Sequence, residues 1–267
     1  MARTLVYVIA DFGPLGDLAY AEVVQRLYTD LGADDFEIQI FPVPAFDTVA
    51  TGFFLAQTAI NSKLGKKHKF YVNTAPRKDN LEARAHNSGE SLAYAKLFND
   101  VEIVAVNSGY SLSFIKDAAV DIRGVNVTSA GSQFRSRDVF PAPFIAIAKG
   151  DYSGLTDDWR DDVPDMPQAS VYYTDGYGNL KCGIDPSTLK PGAAMITIEG
   201  KTQSVRITDG IFGVKDGEFS FAAGSSGWTL PNGKKLKFAE IVKRGGSAAE
   251  AFGKPRGGTK VEWQAAN

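Results

Sequence analysis

Residues 4–13 read TLVYVIADFG, and the first half of the chain is organised around them. The apolar run from Leu5 to Ala10 is rich in β-branched and aromatic residues, which describes a short buried strand. It stops at a carboxylate, Asp11, followed by Phe12 and Gly13. A strand this apolar belongs inside a sheet covered on both faces. A carboxylate at its exit stands where open α/β sheets bind their ligands. Two roles are open to Asp11: a cap or dipole partner for the next helix, where Asp17 competes, or a holder of a ribose diol.

Downstream the pattern alternates. Tyr20, Val23, Val24, Leu27 and Leu31 recur at helical spacing, and Gly32 stops that helix. FEIQIFPV (36–43) is a second strand; Phe46, Val49, Ala50 and Phe53 mark a second helix; KFYVNT (69–74) is a third strand. A helix is expected around Glu90 to Phe98, then a strand, VEIVAV (101–106), ending at Asn107. RDVFPAPFIAIAKGD (137–151) reads as a further helix with prolines near its start. The expectation is an α/β N-terminal domain over 1–155, an open parallel-rich sheet with helices on both faces. The acidic stretch DYSGLTDDWRDDVPDMPQAS (151–170) lacks periodicity and suggests a linker over 156–168. From 169 to 267, short strands alternate with the turn pairs Asp175-Gly176, Gly178-Asn179, Glu199-Gly200 and Asn232-Gly233. These predict a smaller antiparallel β-barrel domain.

Composition narrows the function. With 44% hydrophobic and 22% charged residues and a formal charge of −2, the chain reads as an ordinary soluble protein, with no nucleic acid or membrane as its main partner. The basic cluster KLGKKHK (63–69) reads as a solvated face, His68 included. No run approaches the ~18 apolar residues of a membrane helix. The N-terminus shows no signal-peptide pattern, so a cytoplasmic location is expected. A single cysteine, Cys182, excludes an internal disulfide and a cysteine-rich metal site. His68 and His86 are not at metal-ligand spacing, so no metal is expected. No GxSxG, Walker-type or GxGxxG motif is present.

Three more segments carry polar groups suited to a ligand. Thr174 to Asn179 presents a carboxylate (Asp175), an aromatic face (Tyr177) and an amide (Asn179) within one turn. These groups suit an ammonium and a flat base, or simply a hairpin. Gln133 to Asp138 precedes a helix, where Ser136 is either an N-cap or a holder of an anion or water. Ser225-Ser226-Gly227 and Lys243 to Ala249 offer backbone groups beside glycines, or strand-to-helix turns.

In this order and spacing the segments resemble the S-adenosylmethionine hydroxide adenosyltransferase family, which includes the fluorinating and chlorinating enzymes acting on S-adenosylmethionine. The resemblance rests on DFG (11–13), PAFD (44–47), NSGYSL (107–112), QFRSRDVFPAPFIAIAKG (133–150), DGYGN (175–179) and KRGGSAAEAFG (243–253). It implies a homotrimer with sites between subunits, and S-adenosylmethionine as substrate with no cofactor. Asp11 would bind the ribose diol, and Phe46 and Phe212 would supply apolar walls. Tyr177 and Asn179 would address the adenine, and Asp175, with Ser225 and backbone near Gly245, the methionine ammonium. The implied reaction is in-line displacement at the ribose C5′, releasing adenosine and L-methionine when water attacks. The family's hydrolases carry an aspartate–arginine–histidine set. Here the histidine position is Arg135, the aspartate falls on Ala75 or Asn73, and Arg84 or Arg77 stands for the arginine. Ser136 follows as in the fluorinating branch. Ser136, Arg135 and Arg84 are therefore the expected catalytic residues. A halide nucleophile, a non-catalytic binder of S-adenosylmethionine or adenosine, and a ligand-free structural trimer are the competing expectations.

Overall fold

The structure is a computed structural model describing residues 3–76, 82, 89–128 and 132–266. The chain forms two compact units, Met1–Asp165 and Met166–Asn267.

The first unit is built on a seven-stranded sheet. Its strands are β1 (Thr4–Ala10), β2 (Phe36–Pro42), β3 (His68–Asn73), β4 (Leu92–Leu97), β5 (Glu102–Val106), β6 (Ala119–Val125) and β7 (Leu155–Asp158), in the order β2-β1-β3-β5-β4-β6-β7. β2, β1, β3 and β5 run parallel. β4, β6 and β7 pair antiparallel. Helix α1 (Leu18–Leu31) carries the chain from β1 to β2, and α2 (Thr48–Ala59) carries it back past β1 to β3. The direction of winding therefore reverses between β1 and β3, which makes the C-terminal ends of those two strands a topological switch point.

Both faces of the sheet are covered. Tyr20, Val23 and Leu27 of α1 bury against Val6 and Val8, together with Phe144 and Ile147 of α4 (Pro141–Ala148). On the other face, Phe54 of α2 meets Phe41 at 5.3 Å and Phe53 meets Phe114 at 6.0 Å. Asp17 caps α1 by accepting from the Ala19 amide at 2.9 Å, and Asp47 caps α2 by accepting from Ala50 at 2.8 Å.

The second unit holds strands β8 (Val171–Thr174), β9 (Leu180–Cys182), β10 (Gly192–Ile198), β11 (Lys201–Ile207), β12 (Phe219–Thr229), β13 (Lys235–Lys243) and β14 (Val261–Ala265), in the order β14-β10-β11-β12-β13-β9-β8. All pairs but β11–β12 are antiparallel. The sheet curls until its edges meet. Val171 donates to the Thr259 carbonyl at 2.8 Å, and Val261 donates to Ala169 at 2.7 Å. The inward face packs Val171, Ile196, Phe221, Ile241 and Phe252 into its own core.

Three expectations need correction. Residues 92–97 form strand β4, not part of a helix. LAYAKL is a short, mainly apolar run, and such a run does not separate strand from helix by periodicity; here both its neighbours are strands. The stretch expected as a linker from 156 is tied into the first unit: β7 pairs with β6, and the Lys116 ammonium donates to the Val163 carbonyl at 2.7 Å. The break falls at Asp165. The basic cluster is not all solvated, because His68 and Lys69 are buried. Lys69 is paired with Glu102, whose other oxygen accepts from Tyr94 at 2.8 Å and Tyr152 at 2.7 Å.

His68 packs edge-on against Tyr7 at 4.5 Å, and its Nδ1 is hydrogen-bonded to Ser62 at 2.8 Å. Burial lowers its pKa to about 4. The unfolded chain protonates near the ordinary 6.5, so this contribution is intact above about pH 6.5 and lost as pH falls towards 4, on the order of 2 kcal/mol. Urea unfolding at pH 7 and pH 4.5 is expected to show a smaller loss of stability in His68→Phe than in the wild type; equal losses would contradict this account.

Candidate functional site

A cavity of about 460 Å³ opens at the switch point of the first unit. Its size is that of small-molecule sites. β1 brings Asp11 and Phe12 to its wall, β3 brings Asn73 and Ala75, and the segment entering α2 brings Phe46. Gly89 and Glu90 precede β4. Gln133, Phe134, Arg135, Ser136 and Phe140 come from the short helix α3 (Arg135–Asp138) and its flanks.

Asp11 does not cap α1, since Asp17 does. Its Oδ2 accepts from the Phe46 amide at 2.7 Å. Phe46 holds φ at +62°, a left-handed conformation costly for an aromatic residue, and the residue is 53% exposed and lines the cavity. The Asp11 bond helps hold this turn. A carboxylate offers about four acceptor positions, and the Phe46 amide takes one of them.

Ser136 is not an N-cap either. The capping position is Phe134, whose amide donates to the Ser132 hydroxyl at 3.0 Å. Ser136 instead faces β3, accepting from Asn73 Nδ2 at 2.8 Å, while its carbonyl accepts from the Tyr71 hydroxyl at 2.6 Å. The Arg135 guanidinium lies 5.0 Å from the Phe140 ring centre and donates to the Thr128 carbonyl at 3.1 Å. Gly89 lets Arg135 pass, because a Cβ there would stand 3.0 Å from Arg135 Cδ. Arg137 is turned away into ion pairs with Asp138 (2.7 Å) and Glu22 (2.9 Å).

The structure thus brings together Asp11, Phe46, Arg135 and Ser136 from the expected set, with Asn73 and Ala75. Arg84, with Arg77 and His86, lies outside the described residues. Glu90 was missed: it is 7% exposed and lines the cavity. It sits in a polar stretch with no periodicity, so only its placement before β4 marks it. Among the described residues no group of three or more His, Cys, Asp or Glu side chains is placed to hold a metal ion.

The other expected residues belong to the second unit. Asp175 is bound up in its own turn between β8 and β9. Oδ1 accepts from the Tyr177 and Asn179 amides, both at 3.0 Å; Oδ2 accepts from Asn179 Nδ2 at 3.1 Å and from Lys181 at 3.4 Å. Burial opposes its ionisation, but these bonds and the Lys181 charge hold its carboxyl below the usual range. An ammonium group seated on Asp175 has to displace Lys181. Tyr177 and Phe212 are both 84% exposed, and Arg244 lies 5.6 Å from the Phe212 ring centre. Ser225 is exposed in a bulge of β12. Gly245 has φ +71°, with the Asp216 carboxylate where a Cβ would go. The 175–179 turn and the segment after β13 meet directly, as Ala249 donates to the Gly178 carbonyl at 2.8 Å.

No family model and no curated protein matches the chain. Solved structures do. An uncharacterized conserved protein from Thermotoga maritima superposes with a TM-score of 0.70 at 15% identity, covering 97% of this chain and 99% of that one. A conserved hypothetical protein from Thermus thermophilus gives 0.66 at 18% identity, covering 98% and 100%. At these identities the likeness shows the fold alone. Among the described residues, no helix is long and apolar enough to cross a membrane.

At Gly178, φ is +80° and a Cβ would fall 2.0 Å from the Ser247 hydroxyl. Gly178→Ala is expected to destabilise the second unit by about 2 kcal/mol through strain and overpacking. A melting curve unchanged from wild type would contradict the packing of the 175–179 turn against Ser247.

Proposed function

We propose that this protein hydrolyses S-adenosylmethionine to adenosine and L-methionine by in-line displacement at the ribose C5′. The observation that carries the reading is the grouping of Asp11, Phe46, Ser136, Arg135 and Glu90 around one cavity at the β1–β3 switch point. The sequence resemblance supplies the substrate. Asp11 accepts from the ribose hydroxyls, and Phe46 covers one face of the nucleoside. Water attacks C5′, the C5′–S bond breaks with its electron pair going to sulfur, and neutral methionine leaves. The leaving group is already cationic, so catalysis consists mainly of aligning a desolvated water opposite the C–S bond. The water still has to lose a proton. In this reading Glu90 takes the place of the family's missing base, and the Ser136 hydroxyl orients the nucleophile. The proposal includes a homotrimer acting in the cytoplasm, with Tyr177, Asn179, Phe212, Ser225 and Gly245 as further ligand contacts.

The test is incubation of purified protein with S-adenosylmethionine, with and without chloride, and chromatography for adenosine and 5′-chloro-5′-deoxyadenosine. Adenosine as product in both is expected. Binding without turnover would replace the hydrolase by a non-catalytic binder, and a chlorinated nucleoside would replace water by halide. Glu90→Gln is expected to lower turnover by about 100-fold or more while adenosine affinity changes little. A rate equal to wild type would remove Glu90 from the mechanism.

A further inference from the structure

Hydrogen-bond polarity around Ser136 follows from counting donors. The Tyr71 hydroxyl has one hydrogen, and it is committed to the Ser136 carbonyl at 2.6 Å. Asn73 lies two residues further along β3, and its Nδ2 donates to Ser136 Oγ at 2.8 Å. Tyr71 and Asn73 are 1% and 3% exposed, so water does not compete for these bonds. With Oγ accepting from Asn73, the Ser136 hydrogen has to point elsewhere. Among the described residues the hydroxyl donates to none, and Ser136 lines the cavity.

We propose that Asn73 is a positioning residue that fixes the Ser136 hydroxyl as a donor into the cavity. Arg135 adds positive charge on the same wall. Resting on the reading given above, the group beside Ser136 is the attacking water, on the side of C5′ opposite the sulfonium, and its oxygen becomes the 5′-oxygen of adenosine. A 5′ substituent seated there is selected for a hydrogen-bond acceptor or anion, and a donor cation is disfavoured. Asn73 contributes nothing directly to the ligand; it acts through Ser136.

Two measurements test this. The first is neutron diffraction of the wild-type protein without nucleoside, which needs no ligand to be right. The Ser136 hydroxyl hydrogen is expected to point into the cavity; a hydrogen aimed at Asn73, or an Asn73 carbonyl facing Ser136, would overturn the proposal. The second is calorimetry with adenosine-5′-carboxylate and 5′-amino-5′-deoxyadenosine on wild type, Ser136→Ala, the uncharged and similarly sized Asn73→Leu, and the double variant. Wild type is expected to prefer the carboxylate by about tenfold or more, the range of a hydrogen bond to a charged group. Each single variant should lose most of that preference. In the Ser136→Ala background, Asn73→Leu should add little, as a residue acting through another does in a double-mutant cycle. An undiminished effect of Asn73→Leu in that background, or no preference in wild type, would overturn the positioning role. If the hydrogen points into the cavity but neither nucleoside binds, the donor assignment stands and the S-adenosylmethionine reading fails.

Discussion

The parallel register between β1 and β3 is the constraint from which the site follows. Ala10 stands beside Asn73, and the Asp11 amide donates to the Asn73 carbonyl at 3.2 Å. Because winding reverses between these strands, no crossover helix covers their exits, and side chains leaving them face a shared space. One strand ends on a carboxylate that accepts from Phe46. The other ends on an amide that donates to Ser136. A shift of register by one residue would turn Asn73 towards the opposite face and separate the two polar groups.

β3 shows how one short strand serves stability and site together. At its start, His68 and Lys69 are buried, and Lys69 answers Glu102 directly across the β3–β5 pairing. Burial opposes ionisation of Glu102, yet Lys69, Tyr152 and Tyr94 hold its carboxyl below the usual range. Breaking such a pair leaves an uncompensated buried charge. This cluster lies at the opposite end of the strand from Asn73, about four residues or ~13 Å away. The strand is anchored at its entry, and its exit is left to present polar groups.

Much of this was legible in the sequence where local rules and tertiary context agree. β1, α1 with its Asp17 cap and Gly32 stop, α2, and the hairpin turns of the second unit all obey them. Residues 92–97 did not, because a short apolar run is strand or helix according to its neighbours. Lys69 looked solvated because nothing local announces Glu102, 33 positions away. Asp11 and Ser136 were singled out, but each was open to a cap reading that only the observed partners exclude. Glu90 had no signal at all: its placement at the cavity depends on where β4 begins, and that strand was misread. Asp175 was legible as a residue of its turn, but not the Lys181 bond that fills its remaining acceptor position.

The central claim is that the cavity at the ends of β1 and β3 grips the sugar of a nucleoside through Asp11. Calorimetry with adenosine and 2′,3′-dideoxyadenosine, on wild type and Asp11→Ala, tests it most directly. The account predicts that wild type binds adenosine about tenfold or more tightly than the dideoxy compound, and that the difference disappears in Asp11→Ala. Equal affinities in wild type, or a preference that survives the substitution, would contradict it.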